Sequence, residues 1–301
     1  MSTQHALFDT AGPKARARVR IFTVISVIAL LTVLGLAYRQ LYLSGTLAPS
    51  KWLPFTQPGI QAFFGNALAR TALAALGAAA IAVPLGLVLA LGRLSPVALL
   101  RWPATAFIEF FRAIPVLLVI YAFMFALPAY GINPSEYLKL VIPVGLCTSA
   151  VIAEVFRAGV LSLPRGQVEA GLATGLTPGQ TFRLVVFPQA LRVVIPALVA
   201  QAVIVVKDTA FGYVVSYPEL QQSARVLVAN TRNLVQTYFV VTVIYILINL
   251  LISRAAVWMD AKLAAAGRQA AVPADRHRPR PPPVARKPCL TISALPSTGG
   301  Q

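Results

Sequence analysis

The chain has 301 residues, 57% of them hydrophobic and only 12% charged, with a mean hydropathy of +0.74. Soluble domains carry about 25% charged and about 45–50% apolar residues, so composition all but excludes a soluble enzyme and predicts a polytopic membrane protein. A net charge of +17 would suggest nucleic acid in a soluble chain, but in a membrane protein its placement must be read first.

The first apolar run is Ile21 to Leu43, preceded by the basic residues Lys14, Arg16, Arg18 and Arg20. It is too long for a signal peptide, which predicts a retained signal anchor at 21–43 behind a basic cytoplasmic tail at 1–20. Residues 44–64 combine Pro, Gly, Thr and Gln with Trp52, Phe55, Phe63 and Phe64, a composition suited to the membrane interface. Five further runs follow at about 66–92, 106–128, 138–160, 193–217 and 235–258, each long enough to cross a ~30 Å hydrocarbon core. Four contain an internal proline: Pro84, Pro115, Pro143 and Pro196. The expectation is an all-α membrane protein with about six transmembrane helices. Cys147 lies in an apolar run and Cys289 in a Pro-rich tail, so neither a disulfide framework nor a metal site is expected.

Basic residues orient the chain. With the N-terminus inside, the N-tail, 93–112, 157–192 and everything after 253 hold 19 of the 26 Lys and Arg. The outer side holds Arg39, Lys51, Arg70, Lys139, Arg225 and Arg232, and Lys207 lies within a run. The asymmetry predicts cytoplasmic N- and C-termini. From about 264 the Arg-Pro-rich and Ser/Thr/Gly-rich composition cannot bury a core and predicts a disordered cytoplasmic tail at 264–301.

The loop at 161–190 carries the most information. Val168, Leu172 and Ala173 are spaced as one small apolar helical face, with Glu169 in the opening turn, where the helix dipole favours an anion. Gly175 supplies a stop, and Thr177-Pro-Gly-Gln180 restarts a helix with a capping box. Two short helices joined at Gly175 form a knob able to press into a groove of another protein.

Glu169, Ala170, Gly171, Gly175, Val185, Phe187 and Pro188 resemble the EAA loop of binding-protein-dependent ABC importer permeases, E-A-A-x3-G-x9-I-x-L-P. Gly171 stands where that loop has its second Ala. Phe107-Ile-Glu-Phe-Phe-Arg-Ala-Ile-Pro115, Ala153-Glu-Val-Phe-Arg-Ala-Gly159, Phe187-Pro-Gln-Ala-Leu-Arg192, Lys207-Asp-Thr209 and Pro218-Glu-Leu220 are similar to the polar amino-acid permeases, closest to the glutamate members. The resemblance covers about 60–258 and implies a MetI-like core plus an extra N-terminal helix. It also implies a second permease subunit, homologous or identical, and two ATPase subunits docked on the EAA loops. An extracytoplasmic solute-binding protein would deliver a polar amino acid, in a prokaryotic cell membrane. The chain has no Gly-Lys dipeptide and so no Walker A loop. No cofactor or catalytic residue is therefore expected in it, ATP and Mg being bound by the partner ATPase.

Ionisable residues within apolar runs are costly, which singles them out. Glu109 and Arg112 are three apart and predict a mutually neutralising structural pair. Glu154 and Arg157 repeat that spacing, and Glu154, lying deeper, is also a candidate for the substrate pathway. Lys207 and Asp208 are adjacent and point about 100° apart. Lys207 stands roughly 21 Å from the start of the fifth run, beyond the midplane. Lys207, Asp208 and Thr209 are candidates for the substrate pathway, with the ammonium attracting a carboxylate. A secondary amino-acid transporter without an ATPase is the alternative, but it would show paired repeats and would not need an EAA loop. A membrane enzyme is opposed by its lack of a catalytic constellation, since His5 and His277 both lie in the tails. Nucleic acid is opposed by where the basic residues lie.

Overall fold

The computed structural model describes residues 12–270, and His5, His277, Cys289 and the segments 1–11 and 271–301 lie outside them. Nine helices occur among the described residues, taking helices that continue without a bend as one: α1 Pro13–Leu43, α2 Pro58–Leu94, α3 Ala98–Ala113, α4 Val116–Ala129, α5 Glu136–Leu161, α6 Arg165–Ala173, α7 Pro178–Val215, α8 Leu220–Thr231 and α9 Leu234–Ala270. By its contacts the chain divides after Asp260, and of the second unit, Ala261–Gln301, only the closing turns of α9 are described. The boundary expected at 264 thus falls inside a helix that continues to Ala270.

Helices α1, α2, α5, α7 and Leu234–Ala255 of α9 are long and apolar enough to cross a membrane. The run expected at 106–128 is not one straight span. It is α3 and α4, bent by 99° at Ile114–Pro115. The cause is local: the proline ring pushes the preceding residue out of the helical region, and Ile114 adopts φ −97°, ψ 130°. Pro84, Pro143 and Pro196 remain inside continuous helices, because backbone groups surrounded by lipid and packed helices have no other partners.

Two prolines leave a subtler mark. A π turn at Ala122–Ala126 is followed by Pro128, and another at Phe182–Val186 by Pro188. A proline offers no N–H to the carbonyl four residues back and its ring collides with it, and widening one turn relieves both faults.

The core is the α2–α5 pair. Ala74, Ala78, Ala82, Gly86 and Ala90 recur every four residues along α2 and are buried. This smooth ridge lets two backbones approach where apolar lipid gives little hydrophobic drive to associate. A Cβ on Gly86 would stand 2.6 Å from Ile152 Cγ2 of α5. More than half of the most apolar 18 residues of α5 are buried, against none for α1, so α5 is central and α1 peripheral. The segment between α1 and α2 makes two short 3₁₀ turns, Pro49–Lys51 and Leu53–Thr56. It is fastened to the start of α9 by Gln236 Nε2 donating to the Thr46 carbonyl and by Trp52 packed edge-on against Phe239 at 5.6 Å.

Candidate functional site

The loop between α5 and α7 is built from backbone signals. Pro164, extended at φ −58°, ψ 134°, starts α6 at Arg165. Glu169 therefore sits in the second turn of α6 and not the first, because the proline begins the helix four residues before it. Gly175 ends the helix at φ +85°, a conformation costly for any side chain. Its N–H donates to the Leu172 carbonyl at 3.0 Å and that of Leu176 to the Gly171 carbonyl at 3.4 Å, a Schellman closure. Thr177 and Gln180 form the expected capping box.

The second short helix is not a separate piece. Pro178–Thr181 passes through the π turn into the long helix, so the knob and the fifth span are one rod, α7. Gln189, which sequence reasoning missed, fastens the two halves of the loop. Its Nε2 donates to the Val185 carbonyl at 2.9 Å, within the π turn, and to Gln167 Oε1 of α6 at 3.0 Å. Glu169 and Ala170 face outward and are exposed. Val168 and Leu172, also exposed, line a cavity of about 390 Å³ with Val160, Phe182 and Val186.

Gly171 is buried against Thr181. A Cβ there would lie 2.6 Å from Thr181 Cγ2, so the second Ala of the EAA pattern is one methyl group too large for this loop. Gly171→Ala is expected to cost about 1–3 kcal/mol by overpacking. Adding Thr181→Ser, which deletes the opposing methyl group, recovers most of that in thermal unfolding of the purified protein.

Glu109 and Glu154 share a partner not recognised from sequence. Arg93, in the last turn of α2, reaches Glu154 Oε1 of α5 at 2.6 Å and Glu109 Oε1 of α3 at 2.8 Å. Arg157 closes on Glu154 at 3.0 Å, whereas Arg112 stands 3.9 Å from Glu109. The expected Glu109–Arg112 pair is thus the looser contact, because the Arg93 fork lies nearer. Glu154, a candidate pathway residue, is held between Arg93 and Arg157 in this network.

Lys207, Asp208 and Thr209 point three ways. Lys207 is exposed beside Thr242, Tyr245 and Asn249 of α9. Thr209 is fully buried and its hydroxyl donates to the Val206 carbonyl at 2.7 Å, a bond within its own helix. Only Asp208 faces the cavity beside the α3–α4 bend, about 240 Å³ in volume, where Arg112, Thr148 and Gln201 also lie. The cavity thus offers a cation, an anion and two neutral polar groups within apolar walls.

Just beyond α7 the chain is pinned to α2. The Tyr217 hydroxyl donates to the Arg70 carbonyl at 3.1 Å, and the Leu220 N–H to Thr71 Oγ1 at 3.1 Å. Glu219, fully buried, caps α8 by accepting from the Gln221 and Gln222 N–H groups at 2.6 and 2.7 Å, and from the Tyr245 hydroxyl at 3.2 Å. Burial pushes its carboxyl up to about 7, against the pull of those donors.

The family model described as binding-protein-dependent transport system inner membrane component matches residues 82–265. The glutamate transport system permease protein GluD of Corynebacterium glutamicum is 37% identical over 228 residues, covering 74% of this chain and 83% of that one. The probable glutamine ABC transporter permease protein GlnM of Bacillus subtilis is 32% identical over 193 residues, 64% of this chain and 89% of that one. Among solved structures, an amino acid ABC transporter crystallised with histidines is similar at a TM-score of 0.65 and 26% identity, over 68% of this chain and 95% of that chain. The inward-facing MetNI methionine ABC transporter, at 22% identity and a TM-score of 0.56 over 69% and 99% of the two chains, shares the fold. The chain belongs to the family of binding-protein-dependent transport system inner membrane components, the MetI-like permease subunits of ABC importers.

Proposed function

We propose that the chain forms the translocation path for a polar amino acid, glutamate first, in a binding-protein-dependent importer. The observation that carries this reading is the continuity of α7, which joins the EAA loop to Asp208 in one helical rod. From Pro178 to Asp208 it extends roughly 45 Å. The cavity at its far part suits a zwitterion, with the α-ammonium on Asp208 and a carboxylate on Arg112.

In this reading two ATPase subunits dock on the exposed face of α6 around Glu169, Ala170 and the Gly175 turn. ATP and Mg stay on those partners, and Pro188 sets the π turn through which their motion enters the membrane. A second permease subunit, homologous or identical, completes the path, and an extracytoplasmic binding protein supplies the substrate. In this reading both termini lie in the cytoplasm of a prokaryotic cell, which the distribution of basic residues supports. GluD being a glutamate permease by name favours glutamate, while GlnM by name favours glutamine.

The test is uptake by the reconstituted complex of labelled glutamate, glutamine and arginine, with and without the binding protein and ATP. Uptake of glutamate requiring both supports the reading. Uptake driven by an ion gradient without ATP overturns it in favour of a secondary transporter.

A further inference from the structure

We propose that Arg93 is a positioning residue that relays occupancy of the Arg112–Asp208 cavity to the coupling loop. The inference rests on the reading of that cavity as the amino-acid site. Five side chains form an unbroken line of charge: Arg112, Glu109, Arg93, Glu154 and Arg157. The two ends of the line lie in different places. Arg112 lines the cavity beside the bend that ends α3, as does Asp208. Arg157 and Glu154 stand within two turns of the end of α5, after which only Ser162, Leu163 and Pro164 precede α6.

The contacts within the line are unequal. Arg93 holds its two carboxylates at 2.6 and 2.8 Å, while Arg112 stands 3.9 Å from Glu109. The loosest link is therefore the one at the cavity. Three arginines against two glutamates leave the line one positive charge in excess, so it takes up a carboxylate without releasing or binding a proton.

A substrate carboxylate bound at Arg112 competes with Glu109 for the same guanidinium. Glu109, released from Arg112, is held by Arg93 alone, and the Arg93 fork turns toward it. Glu154 shares that fork, so the hold of Arg93 on α5 changes with the state of the cavity. Arg93 does not line the cavity, and acts through Glu109 and Glu154.

A merely neutralising Arg93 would make a different prediction. Its loss would harm assembly, and any variant that assembles would respond normally to substrate. The experiment uses the complete transporter, with its ATPase and binding protein, in proteoliposomes, with labelled glutamate as the probe. Arg93→Gln is expected to leave unstimulated ATP hydrolysis within twofold of the wild type. Stimulation by glutamate-loaded binding protein is expected to fall at least fivefold, and glutamate uptake with it. Arg93→Lys recovers less than half of the stimulation, because an ammonium on a flexible stem cannot fork to two carboxylates as a guanidinium does.

If Arg93→Gln fails to assemble, Arg93→Gln/Glu154→Gln removes both partners of the shorter contact. Assembly of that pair with lost stimulation supports the relay. Normal stimulation in either variant overturns it, while lowered uptake by Asp208→Asn in the same preparation keeps the cavity reading. A wild-type complex that takes up no amino acid overturns both.

Discussion

Asparagine in place of Asp208 is expected to lower amino-acid uptake about ten- to a hundredfold while the complex still assembles. The side chain keeps its shape and loses its charge, so any structural hydrogen bond it accepts is retained in part. What is lost is a charge-assisted bond to a substrate ammonium, worth about 1.5–3 kcal/mol, and each 1.4 kcal/mol is about tenfold. The loss should appear as a raised half-saturation concentration in proteoliposome uptake, with unstimulated ATP hydrolysis unaltered. Asp208 is the member of its triplet on which to place this expectation. Thr209 spends its hydroxyl on its own helix, and Lys207 faces the groove beside α9. Uptake in Asp208→Asn equal to the wild type would place the substrate elsewhere.

Glu169→Lys should be comparably severe for a different reason. Glu169 is exposed in the middle of α6, and changes at such surface positions rarely alter stability by more than about 0.5 kcal/mol. The loop around it is held by the Gly175 closure, the capping box and the Gln189 bridge, none of which uses its carboxylate. A reversed charge there acts on whatever binds the outer face of α6. Expected are loss of the co-purifying ATPase and at least tenfold lower uptake, with the thermal midpoint of the isolated permease unchanged. Undiminished association and uptake would remove Glu169 from the coupling surface.

Much of the loop was legible because each residue there has a backbone role tied to its chemistry. Gly175 alone tolerates its left-handed conformation, and Thr177 and Gln180 satisfy each other's backbone groups. Glu169 falls in the second turn of α6 because Pro164 outweighs its preference for a first turn. Apolar runs marked the membrane helices, but a proline within such a run can be absorbed or can break the helix. Pro84, Pro143 and Pro196 do the first and Pro115 the second. The charge network was illegible for a different reason. Arg93 lies 61 residues from Glu154 and 16 from Glu109, and neither distance is a helical period. Neighbouring acids and bases, Glu109 with Arg112 for instance, attract attention in a sequence. The closer partner comes from a helix brought alongside by the small-residue ridge of α2.

The π turn ahead of Pro188 holds one more residue than an ordinary helical turn. Each residue rotates a helix by about 100°, so that single insertion sets the azimuth of everything downstream in α7. Asp208 looks into the cavity, and Lys207 away from it, partly because of where this extra residue was placed. Replacing Pro188 with alanine would leave the length and charge of the chain untouched while freeing that turn to tighten into an ordinary one. It would nonetheless swing the carboxylate out of alignment with Arg112, as a key cut correctly but turned in its lock.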